Sequence, residues 1–409
     1  MKRVAVTGLG IVAPGGNDPD EFFANLCAGS SAIARLPESR SARLETRVVA
    51  PADLDATRHF PAPRLRMLDR VSHLALVAAK QAVANARLLF SDEERATSGV
   101  FFGTGMGGAA STDEGYANLY QDRSDRVKPY SVLLAMNNAP GAWIGMEHSL
   151  TGPNLTFSVA CSSAAVAIGE AWLRIRAGAA DVMLAGGAEA PLTLGTIKAW
   201  EALKTLATED PVDPSASCKP FAKNRSGLVL GEGAAVVILE EWERARRRGA
   251  PVIGELVGYG LSTDSEHITR PSVAGQARAL QLALDSAEIA PRDVGYINAH
   301  GTGTLANDAV ETAAIRQVFG AAAERIPVSS TKSMHGHLLG AAGAVELIAT
   351  LLAVRARKVP PTMHLDVPDP ECDLDYVPSA ARATPELEIA LTNSFAFGGT
   401  NAVLVCRRA

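Results

Sequence analysis

The chain has few cysteines and no cysteine motif. Its five cysteines, at positions 27, 161, 218, 372 and 406, lie far apart, their number is odd, and no Cys-x-x-Cys pair occurs. This pattern argues against a disulfide framework and against a zinc site built from paired cysteines. It favours a reducing compartment, so we expect a cytoplasmic protein that holds no metal.

The sequence also lacks an excess of positive charge, a long uninterrupted uncharged run and any low-complexity tract. Its formal net charge of −5 argues against a general nucleic-acid-binding protein. The longest uncharged stretch, residues 149–169, is interrupted by Pro153, Asn154 and several hydroxyl side chains. We therefore predict no membrane span. The N-terminal "MKRVAVTGLGIVAPGG" superficially resembles a signal peptide, but its glycines and valines fit a buried strand and turn better.

Strand-like and helix-like segments alternate along all 409 residues. This order predicts an α/β protein whose sheets are covered by helices. The charged segment "EEWERARRRGAP", at 240–251, is typical of a helix end followed by a breaker. It divides the chain into two units, 1–250 and 251–409, in which predicted strands and helices follow one another in a similar order.

Two glycine-rich turns fit a dinucleotide-binding motif only loosely. Gly103, Gly105 and Gly108 match G-x-G-x-x-G after a strand, and the segment from Gly8 to Ala13 matches a relaxed form. A nucleotide site also needs a helix that opens at the glycines and an acidic residue about 20 positions later. Tight turns with close backbone approach are the better interpretation.

Cys161 lies where a predicted strand passes into a predicted helix, in "TFSVACSSAAVAIGEAW". The first N–H groups of a helix lack internal partners and add positive potential. Such an environment lowers the pKa of a thiol and exposes a nucleophile, so Cys161 is a candidate for covalent catalysis. A lone buried cysteine is more often inert packing, and position alone leaves that alternative open.

Three further loops of small residues follow predicted strands. "NAHGTGTLANDAVE" contains His300 and a helix capped by Asn307 or Asp308, and "SSTKSMHGHLLGAAGAVE" is read as a loop before a helix. "NSFAFGGTN" is a glycine-rich turn with two phenylalanines. Because sites in α/β proteins are built from loops at strand ends, the four loops predict one site. A cysteine protease or a Cys–His metal site remains an alternative, although the local signatures of both are absent.

Together these loops resemble the β-ketoacyl-[acyl carrier protein] synthases, specifically the synthase II type. The likeness is carried by "VACSSA", "AHGTGT", "TKSM" followed by "GHLLGAAG", and "NSF" followed by "FGGTN", and it runs almost end to end. The resemblance implies a thiolase-like fold of two similar halves in a five-layered α-β-α-β-α arrangement. It places the cysteine on the first half and both histidines on the second.

The same resemblance implies a role for each matching residue. Cys161 would hold the acyl group, the backbone N–H groups of Cys161 and Phe397 would stabilise the oxyanion, and Phe397 would gate the site. His300 and His337 would donate to the malonyl thioester. The remaining expected site residues are Lys332 with Glu311 as its acidic partner, Asp308 as structural support, and Thr302, Thr304, Met106 and Phe395 around the substrate.

Several positions depart from the family pattern or match it only in part. His335 stands where threonine is frequent, and Ala396 stands where glycine is usual, which should stiffen the gating turn. The carrier-docking patch is reduced to four candidate cations, namely Arg64, Arg66, Arg70 and Lys204.

The implied reaction is a decarboxylative Claisen condensation that lengthens an acyl chain by two carbons. Substrates would arrive on the 4'-phosphopantetheine of acyl carrier protein, with no other cofactor required. We expect a homodimer or a heterodimer with a related subunit. The alternatives are a ketosynthase of a type II polyketide or polyene pathway and a non-catalytic chain-length-type scaffold.

Overall fold

The computed structural model describes residues 1–121 and 124–409, and its centre is one ten-stranded sheet system. In chain order its strands are β1 (Val4–Val12), β2 (Gly99–Gly103), β3 (Asn154–Phe157), β4 (Val182–Glu189), β5 (Gly233–Glu241), β6 (Gly254–Thr263), β7 (Tyr296–Asn298), β8 (Val328–Ser329), β9 (Ile389–Phe395) and β10 (Thr400–Arg408). Two-residue strands pair in the connections, Ala34–Arg35 with Val48–Val49 and Lys358–Val359 with Arg382–Ala383.

The longer helices connect these strands. They are α1 (Pro19–Cys27), α2 (Arg70–Asn85), α3 (Ala109–Tyr120), α4 (Ala139–His148), α5 (Ser163–Arg176), α6 (Leu194–Ala202), α7 (Val273–Ala287), α8 (Leu305–Phe319) and α9 (Ala342–Ala356). Short α-helices span Glu38–Ser41, Ala62–Leu65, Asp92–Thr97, Ser131–Ala135, Trp242–Arg247 and Lys332–His335. Single 3₁₀ turns span Ala56–Arg58, Ala160–Ser162, Pro214–Ala216, Pro291–Asp293, Gly320–Glu324 and Leu339–Ala341.

The two halves of the sheet system repeat one topology. The first half runs β3-β2-β4-β5-β1 and the second runs β8-β7-β9-β10-β6. In both, the first two neighbour pairs are parallel and the next two are antiparallel. The halves meet through three residue pairs between β1 and β6. This repetition matches the predicted pair of similar halves.

Helices lie outside and between the two halves. Helix α2 packs on β1 and β5, and α7 packs on β6 and β10 on the other side. Helices α5 and α9 contact each other and strands of both halves, so they form the central layer. The resulting order, helix-sheet-helix-sheet-helix, confirms the predicted five-layered thiolase-like arrangement.

Helix α9 is mostly apolar around its whole circumference, which is typical of a helix buried on all sides in a protein core. The window Leu339–Ala356 has a mean hydropathy of 1.6 and is long and apolar enough to cross a membrane. However, 89% of that window is buried inside the protein, where it packs between the sheets. Its composition is therefore accounted for by the core.

The glycine-rich turns serve close packing and not nucleotide binding. A Cβ on Gly103 would lie 2.3 Å from the backbone nitrogen of Ala164, so only glycine lets β2 approach α5. The N–H groups of Gly105 and Met106, which a phosphate would need, donate to the buried carboxylate of Glu189 at 2.7 and 2.9 Å. The loop therefore presents no vacant set of donors to a phosphate.

Candidate active site

The four loops that the sequence singled out meet at one cavity of about 260 Å³. Cys161, His300, His337, Phe395 and Phe397 all line it. These residues come from both halves of the chain, and the loops follow β3, β7, β8 and β9. Thr302, Thr304, Ala396 and the longer side chains of Trp200, Leu228 and Arg270 complete much of the wall.

A strained turn presents Cys161 to the cavity. The residue lies in the 3₁₀ turn Ala160–Ser162, and α5 begins directly afterwards. Ala160 adopts a φ of +50°, a left-handed conformation that costs a non-glycine residue roughly 1–2 kcal/mol. Ser162 Oγ donates to the carbonyl oxygens of Ser394 at 2.8 Å and Thr400 at 2.9 Å, which ties this turn to the β9–β10 hairpin.

The thiol of Cys161 has two polar neighbours. His337 Nε2 lies 3.1 Å from Sγ, and the nearby backbone N–H of Phe397 acts to lower the thiol pKa. Burial raises the pKa of Cys161 to about 12, and the nearby Lys332 offsets only part of that rise. The expected lowering of the thiol pKa is therefore wrong. In a closed cavity desolvation of the thiolate dominates, and the thiol needs a base within reach.

The tautomer of His300 is determined by Lys332. The ammonium Nζ lies 3.4 Å from His300 Nδ1 and donates to the His300 carbonyl at 2.6 Å. Because an ammonium only donates, Nδ1 is the acceptor and the ring proton resides on Nε2. Burial, together with the charge of Lys332, lowers the pKa of His300 well below its usual value. The residue therefore offers a neutral N–H donor.

His337 stands beside His300 in a nearly perpendicular arrangement. The ring centroids are 5.2 Å apart, and the planes meet at 83°. Burial and the positive charge of Lys332 also lower the pKa of His337 well below its usual value. Two neutral imidazoles and one thiol thus converge on a small volume that both halves enclose.

Glu346, and not Glu311, is the ion-pair partner of Lys332. Both side chains are fully buried, and Lys332 Nζ contacts Glu346 Oε1 directly. Sequence reasoning missed Glu346, although it is the one charged residue in the apolar stretch "GAAGAVELIATLLAV". A single carboxylate in such a stretch indicates a buried partner, because an unpaired buried charge is prohibitively costly.

Glu311 instead anchors the backbone that carries His300. Its carboxylate accepts from the N–H groups of His300 and Gly301, both at 2.8 Å, and from Asn393 Nδ2 at 3.0 Å. Asp308 acts similarly, accepting from the N–H of Phe221 at 2.9 Å. Both carboxylates are therefore supports of the loop, as expected for Asp308.

Local structure differs from prediction at two further points. Helix α8 is capped by the Thr304 side chain, which accepts from the Asn307 N–H at 3.3 Å, so neither Asn307 nor Asp308 is the cap. Lys332–His335 forms a short helix where a loop was predicted. Thr302 and Thr304 face each other with their hydroxyl oxygens 2.9 Å apart, and both line the cavity.

The β9–β10 hairpin forms the aromatic wall. Phe395 meets the His300 ring at an angle with centroids 6.0 Å apart, and Phe397 stacks on Trp200 at 6.0 Å. Gly398 and Gly399 have φ values of +86° and +81°. Ala396 is not among the residues with positive φ, so alanine fits there without strain, and the proposed stiffening of the gate stays a prediction.

Met106 does not line this cavity. Its side chain is 42% exposed, and its backbone N–H is bound by Glu189. Met106 therefore does not border the cavity of the single chain, and the prediction that it contacts the acyl chain stays a prediction. Glu189, which sequence reasoning missed, also accepts from the Gly340 N–H at 2.9 Å and so joins the Met106 loop to the turn after His337.

Two of the four cations expected to dock the carrier protein form ion pairs with carboxylates of the same chain. Arg70 pairs with Glu232 at 2.8 Å and donates to two backbone carbonyls, and Arg64 pairs with Glu147. Arg66 and Lys204 are exposed. Arg70 is thus a structural residue, because its guanidinium is used to hold the 52–54 loop.

The site does not suit a metal ion. The donor atoms of Cys161, His300 and His337 lie within 4.8 Å of one another, and zinc accepts such a donor set. However, the Lys332 ammonium hydrogen-bonds His300 Nδ1 directly. That cation would repel a divalent ion at the ring it polarises, so the residues fit an organic acceptor of hydrogen bonds better.

This arrangement can support covalent acyl transfer. The sulfur lies next to a neutral imidazole base, and a second imidazole directs an N–H into the same cavity. Hydrogen-bond donors that are already oriented in this buried site would stabilise the negative charge that develops on a thioester oxygen. Cys161 also packs with Leu192, Leu228, Leu230 and Leu339, which provide an apolar environment for a hydrocarbon chain.

Comparison with known families and proteins gives a consistent result over the full chain. The family "Beta-ketoacyl synthase, N-terminal domain" matches residues 1–245, and "Beta-ketoacyl synthase, C-terminal domain" matches residues 253–366. Nodulation protein E of Rhizobium meliloti is 40% identical and covers 100% of this chain and 99% of its own length. The 3-oxoacyl-[acyl-carrier-protein] synthase 2 of Staphylococcus aureus is 38% identical, with coverage of 100% and 98%.

Solved structures agree with the sequence relatives. A beta-ketoacyl synthase from Burkholderia phymatum superposes with a TM-score of 0.93 at 36% identity and covers 100% of both chains. A type II polyketide ketosynthase solved in complex with its acyl-carrier protein superposes with a TM-score of 0.92 at 32% identity, covering 100% of this chain and 99% of its own.

Proposed function

This chain belongs to the beta-ketoacyl synthase family, an acyltransferase family, and we propose that Cys161, His300 and His337 carry its condensation reaction. The observation that supports this assignment most is the contact of 3.1 Å between His337 Nε2 and Cys161 Sγ within a cavity that His300 also lines.

In the first step Cys161 accepts the acyl group from a carrier thioester. His337 Nε2 takes the thiol proton as sulfur attacks the carbonyl carbon, because the thiol pKa of about 12 leaves little thiolate on its own. The backbone N–H of Phe397, which acts to lower the pKa of the nearby thiol, is the proposed donor to the oxyanion. The carrier sulfur then leaves and recovers the proton from His337.

In the second step a malonyl thioester binds with its carbonyl oxygen towards the two imidazoles. The His300 Nε2–H, held in that tautomer by Lys332, donates to the oxygen. Once the thiol is acylated, His337 supplies a second donor in the tautomer that carries its ring proton on Nε2. These donors stabilise the enolate that remains when the C–C bond to the carboxylate breaks and CO2 departs. The enolate carbon attacks the acyl carbonyl and expels the Cys161 sulfur, giving a 3-oxoacyl chain with two more carbons.

The substrates arrive on the phosphopantetheine arm of acyl carrier protein, and no further cofactor takes part. Thr302 and Thr304 line the cavity on the way to Cys161, where their hydroxyl groups suit the amides of such an arm. Lys204 and Arg66 are the exposed cations proposed for carrier docking. A free catalytic thiol suits the reducing environment of the cytoplasm, where we expect the protein to act.

The assignment of the nucleophile is tested by intact-protein mass spectrometry. Incubation with acyl-carrier should add one acyl group that maps to Cys161, and Cys161→Ala should fold but neither load nor condense. Cys406→Ala, which removes another buried thiol, is the matched control and should still load. An adduct on any of the other four cysteines would overturn the assignment.

Product analysis separates fatty-acid synthesis from polyketide assembly. Purified protein, malonyl-carrier and a series of acyl-carriers should yield single-extension 3-oxoacyl products if the chain elongates fatty acids. Repeated extension without reduction, or activity only with a second related subunit, would instead indicate a polyketide or polyene pathway. Absence of iodoacetamide labelling at Cys161 and of any product would indicate a non-catalytic scaffold.

We also propose that the chain forms a homodimer through the edge of the first half-sheet. Strand β3 pairs with β2 on one side and is the outermost strand of the described sheet. Leu155 on β3 is 50% exposed, and Met146 on the adjoining α4 is 60% exposed. An exposed apolar edge strand is normally covered by a partner. Leu155→Lys should convert the dimer to monomer in light scattering, whereas Leu89→Lys, at another exposed leucine, should not.

A further inference from the structure

The histidine that departs from the family pattern, His335, lies outside the cavity but next to the catalytic segment. Its ring is fully buried and does not line the cavity. It contacts the ring of Phe22 with centroids 5.9 Å apart. None of the steps above uses it, so its polar contacts need another explanation.

The His335 ring joins the two ends of the segment that carries Lys332. Nδ1 lies 2.8 Å from the carbonyl oxygen of Gly336, and Nε2 lies 2.9 Å from Thr331 Oγ1. A carbonyl only accepts, so Nδ1 carries the proton and Nε2 accepts from the threonine hydroxyl. Burial lowers the pKa of this imidazole to about 3, so this pattern persists through neutral pH.

The contact with Gly336 bears directly on His337. The peptide between Gly336 and His337 is held on both sides, because its carbonyl accepts from His335 and its N–H donates to the Val229 carbonyl at 2.7 Å. Gly336 itself has a φ of +68°, so the chain turns sharply just before this peptide. The plane of the peptide determines where the Cα–Cβ bond of His337 points.

From these contacts we propose that His335 is a positioning residue, which fixes the Gly336–His337 peptide so that His337 Nε2 stays within hydrogen-bond distance of Cys161. The inference rests on the proposed function for its catalytic consequence, but the geometry it describes concerns the thiol alone. Without the imidazole, the buried Gly336 carbonyl would lose its side-chain donor, and the peptide would be held only through the His337 N–H.

The test compares His335→Leu with His335→Gln. Glutamine can donate from its amide nitrogen to Gly336 and accept from Thr331 with its oxygen, whereas leucine fills the space without polar contacts. We expect His335→Leu to lower kcat for condensation by about tenfold with little change in KM, and His335→Gln to recover most of it. His59→Leu, at an exposed histidine, is the control and should match the wild type.

A second measurement requires no condensation at all. The rate of Cys161 alkylation by iodoacetamide, followed against pH, reports the contact between thiol and imidazole. His335→Leu should shift that profile, and His335→Gln should restore it. If His335→Leu fails to fold, Thr331→Val, which removes only the donor to Nε2, should give a smaller shift in the same direction.

An alkylation profile of folded His335→Leu that equals the wild-type profile would overturn the proposal. A fall in kcat that tracks only the folded fraction, with unchanged kcat per titrated Cys161, would overturn it as well. A wild-type protein that alkylates normally but does not condense would instead refute the proposed function and leave the positioning role measurable.

Discussion

His300 and His337 present different nitrogen environments to the same cavity. Lys332 holds His300 as an Nε2–H donor, whereas His337 Nε2 contacts the Cys161 sulfur. One ring is therefore committed to donation, and the other can first accept the thiol proton and later donate it back. This difference predicts unequal effects on the two half-reactions.

The two histidine substitutions should affect acyl loading and decarboxylation differently. His300→Ala should retain acyl loading but lower CO2 release from malonyl-carrier by about 10²–10³-fold, because one preorganised donor is lost. His337→Ala should impair both steps, since the thiol also loses its base. Stopped assays of acyl-enzyme and of ¹⁴CO2 measure the two steps independently, and normal CO2 release from both variants would contradict the assignment.

Replacing both members of the buried pair Lys332–Glu346 should reduce the free energy of unfolding less than replacing one member alone. Glu346→Gln leaves a cation in a fully buried position and should cost about 3–5 kcal/mol of unfolding free energy. The double variant Lys332→Met, Glu346→Leu should recover much of that loss yet stay inactive, because His300 loses the partner that sets its tautomer. Urea unfolding tests the statement on stability, and CO2 release tests the statement on activity. Equal stability of the single and double variants would contradict the first statement, and CO2 release by the double variant would contradict the second.

At the scale of elements, the β9–β10 hairpin forms one wall of the cavity, and we expect it to act as the gate. The backbone N–H of Phe397 acts to lower the pKa of the Cys161 thiol, and the following glycines adopt positive φ. Gly398 donates to the Ile268 carbonyl at 2.7 Å, and Asp264 donates its N–H to the Gly399 carbonyl at 2.8 Å. The hairpin is thus attached to the 264–271 loop, which also lines the cavity.

Alanine at the two hairpin glycines should have graded effects. A Cβ on Gly398 meets open space, so Gly398→Ala should cost only the left-handed conformation, roughly 1–2 kcal/mol. A Cβ on Gly399 would lie 2.5 Å from the Asp264 carbonyl oxygen, so Gly399→Ala must also displace the loop. We expect more than about tenfold slower acyl loading for Gly399→Ala than for Gly398→Ala. Equal loading rates by mass spectrometry would show that the contact between hairpin and loop does not limit entry.

The chain as a whole buries several histidines in neutral form, which predicts acid sensitivity. The folded-state pKa of His335, about 3, lies below its ordinary value of 6.5, so the unfolded chain binds more protons between these values. The contribution of His335 to the free energy of unfolding is therefore fully present above about pH 6.5. It declines as the pH falls, by roughly 2 kcal/mol at about pH 5.

His335→Gln, which cannot titrate, should therefore lose less stability than the wild type between about pH 7.5 and pH 5. Urea unfolding at both pH values measures the difference. Burial raises the pKa of Glu189 and Glu346 to about 7, which acts in the opposite direction, but both residues are present in both proteins and cancel in the comparison. Parallel losses in the two proteins would show that His335 does not titrate as described.

Sequence alone was sufficient for the order of elements and for the loops of the site. Strand β1, helix α5 and the β9–β10 hairpin lie where periodicity and turn residues predict them, because those signals are local. The motifs around Cys161, His300, Lys332 and Phe397 likewise led to loops that do meet in one cavity. These features depend on residues close together in the chain.

What tertiary structure decided is the pairing and the protonation of buried groups. Lys332 pairs with Glu346 rather than with Glu311, Arg70 pairs with Glu232, and Met106 is not among the residues that line the cavity. The pKa of Cys161 rises where its helix position predicted a fall. Each outcome depends on which side chains from distant segments share a volume and how much water remains there, and neither quantity is encoded in local spacing.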